Sequence, residues 1–478
     1  TFHTRILYVI LEHVQKVWNY AVDLIYTKLI PNRNHRLIAS GTLTVAVILI
    51  GTFVPSETDY SKREDRAVAF FGMVVTIFGL FITSNNPSKI QWRTVIAGTL
   101  IQFIIALFVL RTKCGYDVFN FISTLARELL GFAKDGVAFL TNPATSQLGM
   151  FLFTVLPAAA FFVSFAHILY YFGIMQWVIR KIAFFFFWAL KVTGAEAVTA
   201  AGSPFLGIGE SSVLVKDFMP YLTKAEIHQV MCSGFSTISG SVLVGYVGLG
   251  INPQAMVSSC VMSIPASLAI SKLRYPETEE SVTKDKVEVN EVDEQENRPV
   301  NVLQAFSNGA TMGLNIALMM LIQCMCIIAL VALINGVLTW FGNFWNIKQL
   351  TLEKMGSYIL YPVGFLLGTP RAEILHVSKL LATRIVQNEY NAYYLLINDA
   401  PYNEMSKRAT IIATYALCGF SNFGSMGIQI GVLGVLAPKK VKDIASVIIS
   451  SLISGCIATL TSTMIAAMVL HDLDNYIV

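Results

Sequence analysis

Ala201–Tyr221, AGSPFLGIGESSVLVKDFMPY, is apolar sequence interrupted by Gly, Ser and Pro and carrying an acid at Glu210. At bilayer depth an ionised carboxylate costs about 2.5 kcal/mol or more, so an acid held there marks a functional site by default. The text before it, TGAEAVTAAGSPFLG, and the text that begins with it, ESSVLVKDFMP, are each half a membrane long at roughly 1.5 Å per residue. Meeting at Gly207-Ile208-Gly209, they read as the two arms of a re-entrant hairpin. Its irregular backbone must be buried in protein or face a water-filled cavity.

That reading requires a membrane, and the composition supplies one. Hydrophobic residues make up 55% of the 478, charged ones 13%, and the mean hydropathy is +0.61, more apolar surface than a soluble core hides. The runs Ile38–Val54, Ala67–Ile82, Val95–Leu110, Gly149–Ile174 and Leu314–Leu338 approach or exceed the roughly 20 residues of a spanning helix. An all-α integral membrane protein is expected. The net charge of +4 is spread over short loops, which implies no nucleic-acid partner, and basic residues in the links on both sides leave the orientation open. Six of the seven cysteines lie in apolar stretches as small hydrophobes, so no disulfide framework is expected. From Thr1 the chain runs through an amphipathic segment, expected as an interfacial helix over 1–35 that continues sequence before it.

Residues 36–172 read as mainly scaffold helices, with an interfacial helix near 117–140. A first transport repeat is expected over 173–275: the hairpin, a span near 225–247 broken at GFSTISGS, and an intact span. An acidic polar loop over 276–300 reads as a solvated linker, and 301–338 as a further scaffold helix. A second repeat fills 339–478, with a hairpin carrying NEYNAY near its tip, a broken span at 407–433 and a final span at 440–470. The two broken spans share Gly234-Phe235-Ser236 and Gly419-Phe420-Ser421, and each follows an acid-tipped hairpin, at Glu210 and Glu389. Paired interruptions in two halves point to a multi-span helical transporter with two re-entrant hairpins, two broken helices, an internal inverted repeat and a site at the midplane.

Half-helix ends supply free N–H and C=O groups, so such a site is polar without net charge. It suits a small, neutral, hydroxyl-rich solute held by Glu210, Glu389, Asn422 and Ser425 through hydrogen bonds and by the ring of Phe420. Glu196 and Glu373, in the first arms of the hairpins, read equally as site acids and as dipole partners in a first helical turn. His167, His376 and Lys216 read as structural or interfacial. No HExxH cluster or hydrolytic GxSxG elbow is present, so no catalytic residue, metal or resident cofactor is expected. The rival readings are a carrier for another neutral solute, such as a nucleobase or sugar, an intramembrane enzyme, and an ion channel.

The texts AGSPFLGIGESSVLV, GFSTISGSVLVGY, ASLAISKLRYPETE, NEYNAY and IIATYALCGFSNFGSMGI, with YYFGIMQWVIRK and VLTWFGN, closely resemble those of the concentrative nucleoside transporter family. The similarity runs from about Trp92 to the end of the last span. It implies a plasma-membrane homotrimer, multi-pass in the lipid bilayer, that imports nucleosides with a co-transported cation by an elevator motion. It further implies that Glu389, Asn422 and Ser425 hold the ribose, that Phe420 lies against the nucleoside, and that Glu210 contacts the base side, beside Gly207, Ile208 and Gly209. Family members read Gly-Gln-Thr-Glu at the first hairpin tip, where this chain has Gly207-Ile208-Gly209-Glu210 and so lacks the amide and hydroxyl that address the base. The positions matching the family's sodium site are Ser203, Leu206, Thr237 and Ile238, and Ser203 replaces an asparagine. A hydroxyl is a weaker cation ligand than an amide carbonyl. Proton coupling through Glu210 or Glu389, with those four positions as a vestigial sodium site, is therefore favoured over sodium coupling, which stays open as the alternative.

Overall fold

The computed structural model describes residues 33–58, 60–146, 151–208, 210–216, 218–283, 299–347 and 350–470. The interfacial helix expected over 1–35 falls almost wholly outside them. Helix α1, Arg33–Phe53, crosses the division of the chain into two compact units, Thr1–Ile50 and Gly51–Val478. The remaining helices all belong to the second unit.

In it, α2 (Arg63–Ile82), α3 (Trp92–Arg111) and the amphipathic α4 (Lys113–Leu140) precede a bent pair, α5 (Phe151–Tyr171) and α6 (Ile174–Leu190). The pair turns by 83° at Gly173, whose φ of 73° suits glycine. The first hairpin consists of α7 (Gly194–Leu206) and α8 (Glu210–Val213), the first broken span of α9 (Lys224–Ser236) and α10 (Gly240–Val247), and the intact span is α11 (Pro253–Arg274). The long α12 (Val302–Phe344) leads to α13 (Leu352–Ile359) and α14 (Tyr361–Leu366). The second hairpin is α15 (Ile374–Val386) with α16 (Glu389–Asn398), the second broken span α17 (Lys407–Leu417) with α18 (Phe423–Leu436), and the last span α19 (Val441–Val469). Hairpin, broken span and intact span thus occur twice.

Local chemistry sets the starts of these helices. Thr193 with Glu196, and Thr223 with Glu226, form capping boxes at α7 and α9. Ser239, Asn388 and Asn422 cap the half-helices α10, α16 and α18, each accepting a backbone N–H three residues on. The second arm of the first hairpin departs from expectation: among its described residues only Glu210–Val213 is α-helical. Pro220 lacks the N–H that a continuing α-helix needs, and around it the chain takes a 3-10 turn, Met219–Tyr221.

At the centre lie α9, α11 and α19, packed on one another. Nearly every residue of α11 is buried, although it is the least apolar of the spanning helices. Hydroxyls join these helices: Ser233 Oγ lies 3.3 Å from Ser267 Oγ, and Ser263 Oγ 3.3 Å from Ser462 Oγ. Small residues admit close backbones, and hydrogen bonds between helices replace the hydrophobic drive that lipid removes. Expected among the scaffold helices, α2 packs on α19, and α3 on α11 and α19. Gln102 Nε2 donates to Ser462 Oγ at 2.9 Å, and Arg111 Nε to the Val469 carbonyl at 2.8 Å. Helices α5 and α12 pack mainly on each other.

The loop expected to be a solvated linker over 276–300 is folded in at its start. Glu277 Oε2 accepts the Thr223 hydroxyl at 2.8 Å, Glu226 Oε1 those of Ser281 and Thr283 at 2.5 and 2.9 Å, and the Thr283 carbonyl the Gly194 N–H at 2.9 Å. Lys272 Nζ reaches Glu196 Oε1 at 2.5 Å and Glu277 Oε2 at 3.7 Å. The reason is the buried lysine: its charge draws the first acid of the loop inward. Residues 284–298 lie outside the described ones. The scaffold helix expected over 301–338 extends to Phe344.

Candidate functional site

The two breaks cross. The Phe420 N–H donates to the Thr237 carbonyl at 3.4 Å, and the Ser421 hydroxyl to the Phe235 carbonyl at 2.8 Å. The two Gly-Phe-Ser texts therefore lie against each other. Arg384, fully buried in α15, donates from Nε to the Gly419 carbonyl at 3.1 Å and from Nη1 to the Ala416 carbonyl at 2.5 Å. A guanidinium at the carbonyl end of α17 satisfies acceptors that the break leaves open.

Glu389 begins α16 and is 5% exposed. Its Oε1 accepts the Tyr246 phenol at 2.7 Å and its Oε2 the Asn422 amide at 2.8 Å. Tyr246 comes from the first broken span, Asn422 from the second. Asn422 turns its other side-chain atom, Oδ1, to the N–H of Ser425 at 2.8 Å. One asparagine thus caps α18 and orients the carboxylate. Phe420 and Ser425 are buried beside it in the chain. A carboxylate so held keeps further lone pairs for incoming hydroxyl donors, in bonds of the charge-assisted kind. Replacing Tyr246→Phe removes one fixed donor, and a three- to tenfold rise in KM, roughly 0.5–1.5 kcal/mol, is expected in a transport assay.

At the first hairpin tip, Gly207 has a φ of 94°, and a Cβ there would stand 3.0 Å from Ser239 Cβ. Ile208 is buried against Gly234. Tip and first break are in contact. Gly209 and the side chain of Glu210 lie outside the described ones, while the backbone of Glu210 opens α8. Among the expected cation positions, Ser203 Oγ donates to the Thr199 carbonyl at 2.7 Å, Thr237 Oγ1 to the Ser233 carbonyl at 3.3 Å, and the Ile238 carbonyl faces the Cys260 thiol at 3.8 Å. Leu206 is buried at the end of α7. Both hydroxyls spend their proton on their own helix and keep lone pairs for a cation.

Glu196 and Glu373 resolve toward structure. Glu196 caps α7 and pairs with Lys272, while Glu373 accepts the Ser406 N–H at 2.6 Å and its hydroxyl at 2.5 Å, at the start of α17. His167 Nδ1 lies 2.9 Å from the Val163 carbonyl, and the His376 ring meets Tyr402 edge-on. Sequence reading missed Tyr246 and Arg384. Tyr246 sits in the quoted text GFSTISGSVLVGY, but nothing in its spacing connects it to a hairpin 143 residues away.

Sequence models described as Na+ dependent nucleoside transporter C-terminus, Na+ dependent nucleoside transporter N-terminus, and Gate: Nucleoside recognition match residues 255–467, 71–144 and 152–253. Solute carrier family 28 member 3 of Homo sapiens is 33% identical over 485 residues, covering 97% of this chain and 68% of that protein. The chain belongs to the concentrative nucleoside transporter family. The relatives it matches are named as solute carriers and not as enzymes, and among the described residues of this chain six helices are long and apolar enough to cross a membrane. Solute carrier family 28 member 3 of Eptatretus stoutii is 38% identical, covering 90% of this chain and 63% of that protein. The chain spans about three fifths of the length of the first curated relatives it matches. Among solved structures, CNTnw in an inward-facing substrate-bound state matches with a TM-score of 0.77 at 29% identity, covering 84% of this chain and 97% of that one. A CNTnw variant in an outward-facing state matches at 0.80 and 30%, covering 86% and 99%.

Proposed function

We propose that this chain is a cation-coupled secondary transporter that imports nucleosides across the plasma membrane by an elevator motion. The observation that carries the proposal is the Glu389 carboxylate, held between a donor from each repeat where the two broken spans cross. Glu389, Asn422 and Ser425 take the ribose, Phe420 lies against the nucleoside, and Glu210 with the tip Gly207-Ile208-Gly209 closes the base side. The same carboxylate disfavours a sugar-free nucleobase, which brings no vicinal hydroxyls. A 3′-deoxynucleoside is expected to compete for uptake about tenfold less well than its parent, the worth of one charge-assisted hydrogen bond. Equal competition removes the ribose assignment.

The inward-facing and outward-facing states named for CNTnw support alternating access. The contacts of α2 and α3 with α11 and α19 support a moving body that includes them, running against α5 and α12. A homotrimer is supported by the apolar surface of α12, where Leu333, Val337, Trp340 and Phe341 are exposed.

For the coupling ion we put sodium first. The matching family descriptions specify it, and relatives such as Sodium/nucleoside cotransporter 1 of Oryctolagus cuniculus, 34% identical, carry it in their names. The proton expected from Ser203 draws no support from them. Ser203 and Thr237 hydroxyls with the Leu206 and Ile238 carbonyls are the candidate ligands. In liposomes, labelled uridine and adenosine are expected to accumulate under a sodium gradient with pH held equal. Accumulation driven by a pH gradient without sodium would reinstate the proton.

A further inference from the structure

Gln429 stands out among the buried polar residues near the crossing. It has no exposed surface, and neither its Nε2 nor its Oε1 has a hydrogen-bond partner. Buried polar groups are otherwise paired as a rule, and an orphan of this kind calls for a reason. Gln429 lies on α18 four residues beyond Ser425, so the two share a helix face. Its amide reaches the first broken span at Gly234. A Cβ built on Gly234 would lie 2.4 Å from Gln429 Nε2 and 3.1 Å from the Ile208 carbonyl oxygen. Only glycine leaves that space open. The amide is therefore lodged against Gly234, which also adjoins Ile208 at the hairpin tip, where the tip sequence offers no amide or hydroxyl of its own.

We propose that Gln429 is the base-reading residue of this transporter, replacing from the second broken span the polar side chains that the hairpin tip lacks. The inference rests on the nucleoside reading above. A primary amide places a donor beside an acceptor, and the edges of adenine, uracil and cytosine each present the complementary adjacent pair. Rotating the amide by half a turn exchanges its donor and acceptor. One glutamine therefore serves purines and pyrimidines alike, provided that the base keeps both groups. With Glu389 and Asn422 on the ribose and Gln429 on the base, the two ends of the solute are read by one half-helix of the second broken span, α18, and by the hairpin before it.

The test compares ribosides that differ only at the base edge: adenosine against purine riboside, which lacks the exocyclic amine, and uridine against 3-methyluridine, which lacks the N3 donor. In liposomes holding the wild-type protein, the altered riboside of each pair is expected to have a KM about tenfold above its parent. Gln429→Leu is expected to raise the KM of adenosine and uridine about tenfold, leave the altered ribosides unchanged and so abolish both ratios, with kcat preserved. Gln429→Met, unbranched and close in volume, repeats the measurement if the leucine variant does not fold. Either variant keeping the wild-type ratios, or lowering uptake of all four ribosides equally, overturns the proposal. A wild-type protein that takes up none of the four fails the nucleoside reading itself, and the two failures are therefore distinct.

Discussion

Glu389→Gln is expected to lower the initial rate of uridine uptake in proteoliposomes about a hundredfold at matched protein. In the wild type, the carboxylate accepts from Tyr246 at 2.7 Å and from Asn422 at 2.8 Å, and its remaining lone pairs are the ones proposed to take the solute. An amide offers one oxygen in place of two. Turned either way, it sets an NH2 group against one of the two donors, and although the Tyr246 phenol can reverse its role, the Asn422 amide cannot without giving up the Ser425 N–H. Bonds to a charged acceptor are worth about 1.5–3 kcal/mol each, so losing charge assistance at two ribose hydroxyls comes to about 3 kcal/mol, or a hundredfold. Thermal unfolding in detergent separates this from misfolding, since the shape of the side chain is kept. A rate within threefold of wild type would remove Glu389 from the binding site.

Lys272→Met is expected to destabilise the protein by about 3–5 kcal/mol, the cost of leaving one member of a buried pair behind. Lys272 is 2% exposed and Glu196 fully buried, with 2.5 Å between Nζ and Oε1. Methionine keeps the apolar stem but strands the Glu196 carboxylate, and it frees Glu277 from the junction of α7, α9 and α11. The double variant Glu196→Gln with Lys272→Met removes the carboxylate nearest the lysine, leaving Glu226 and Glu277 to their hydroxyl partners, and the amide introduced by the first substitution retains an oxygen for the Thr193 N–H, so part of the loss is expected to return. Melting temperatures of the purified single and double variants check both statements. Equal melting of single variant and wild type would mean that the pair contributes nothing to stability.

Much of this fold is legible in the residues because the membrane simplifies the problem. With no water to satisfy backbone groups, an apolar run of sufficient length is a helix, and a Gly, Ser or Pro interruption carrying an acid marks a break. The breaks at Thr237–Ser239 and Cys418–Asn422, and the tip at Glu389, fall where those letters stand. The second arm after Glu210 differs from expectation because apolarity alone predicts an α-helix there, while Pro220 cannot continue one. The loop after Pro276 differs for the opposite reason. Its acids read as solvated because Lys272, the cation that draws Glu277 inward, lies within a spanning helix and carries no sign in sequence of which way it points.

By itself, then, the sequence determined the membrane class, the twofold order of hairpin, broken span and intact span, and the acid at each tip. These depend on hydropathy, length and local backbone chemistry, which neighbours in the chain settle between them. Only the tertiary structure decided that Tyr246 and Asn422 share Glu389, that Arg384 satisfies the carbonyls of the second break, and that Gln429 faces Gly234 without a partner. A hydrogen bond is met or missed over a few tenths of an ångström. Residues more than a hundred positions apart reach that precision only after the helices have packed, and packing is a property of all their faces together.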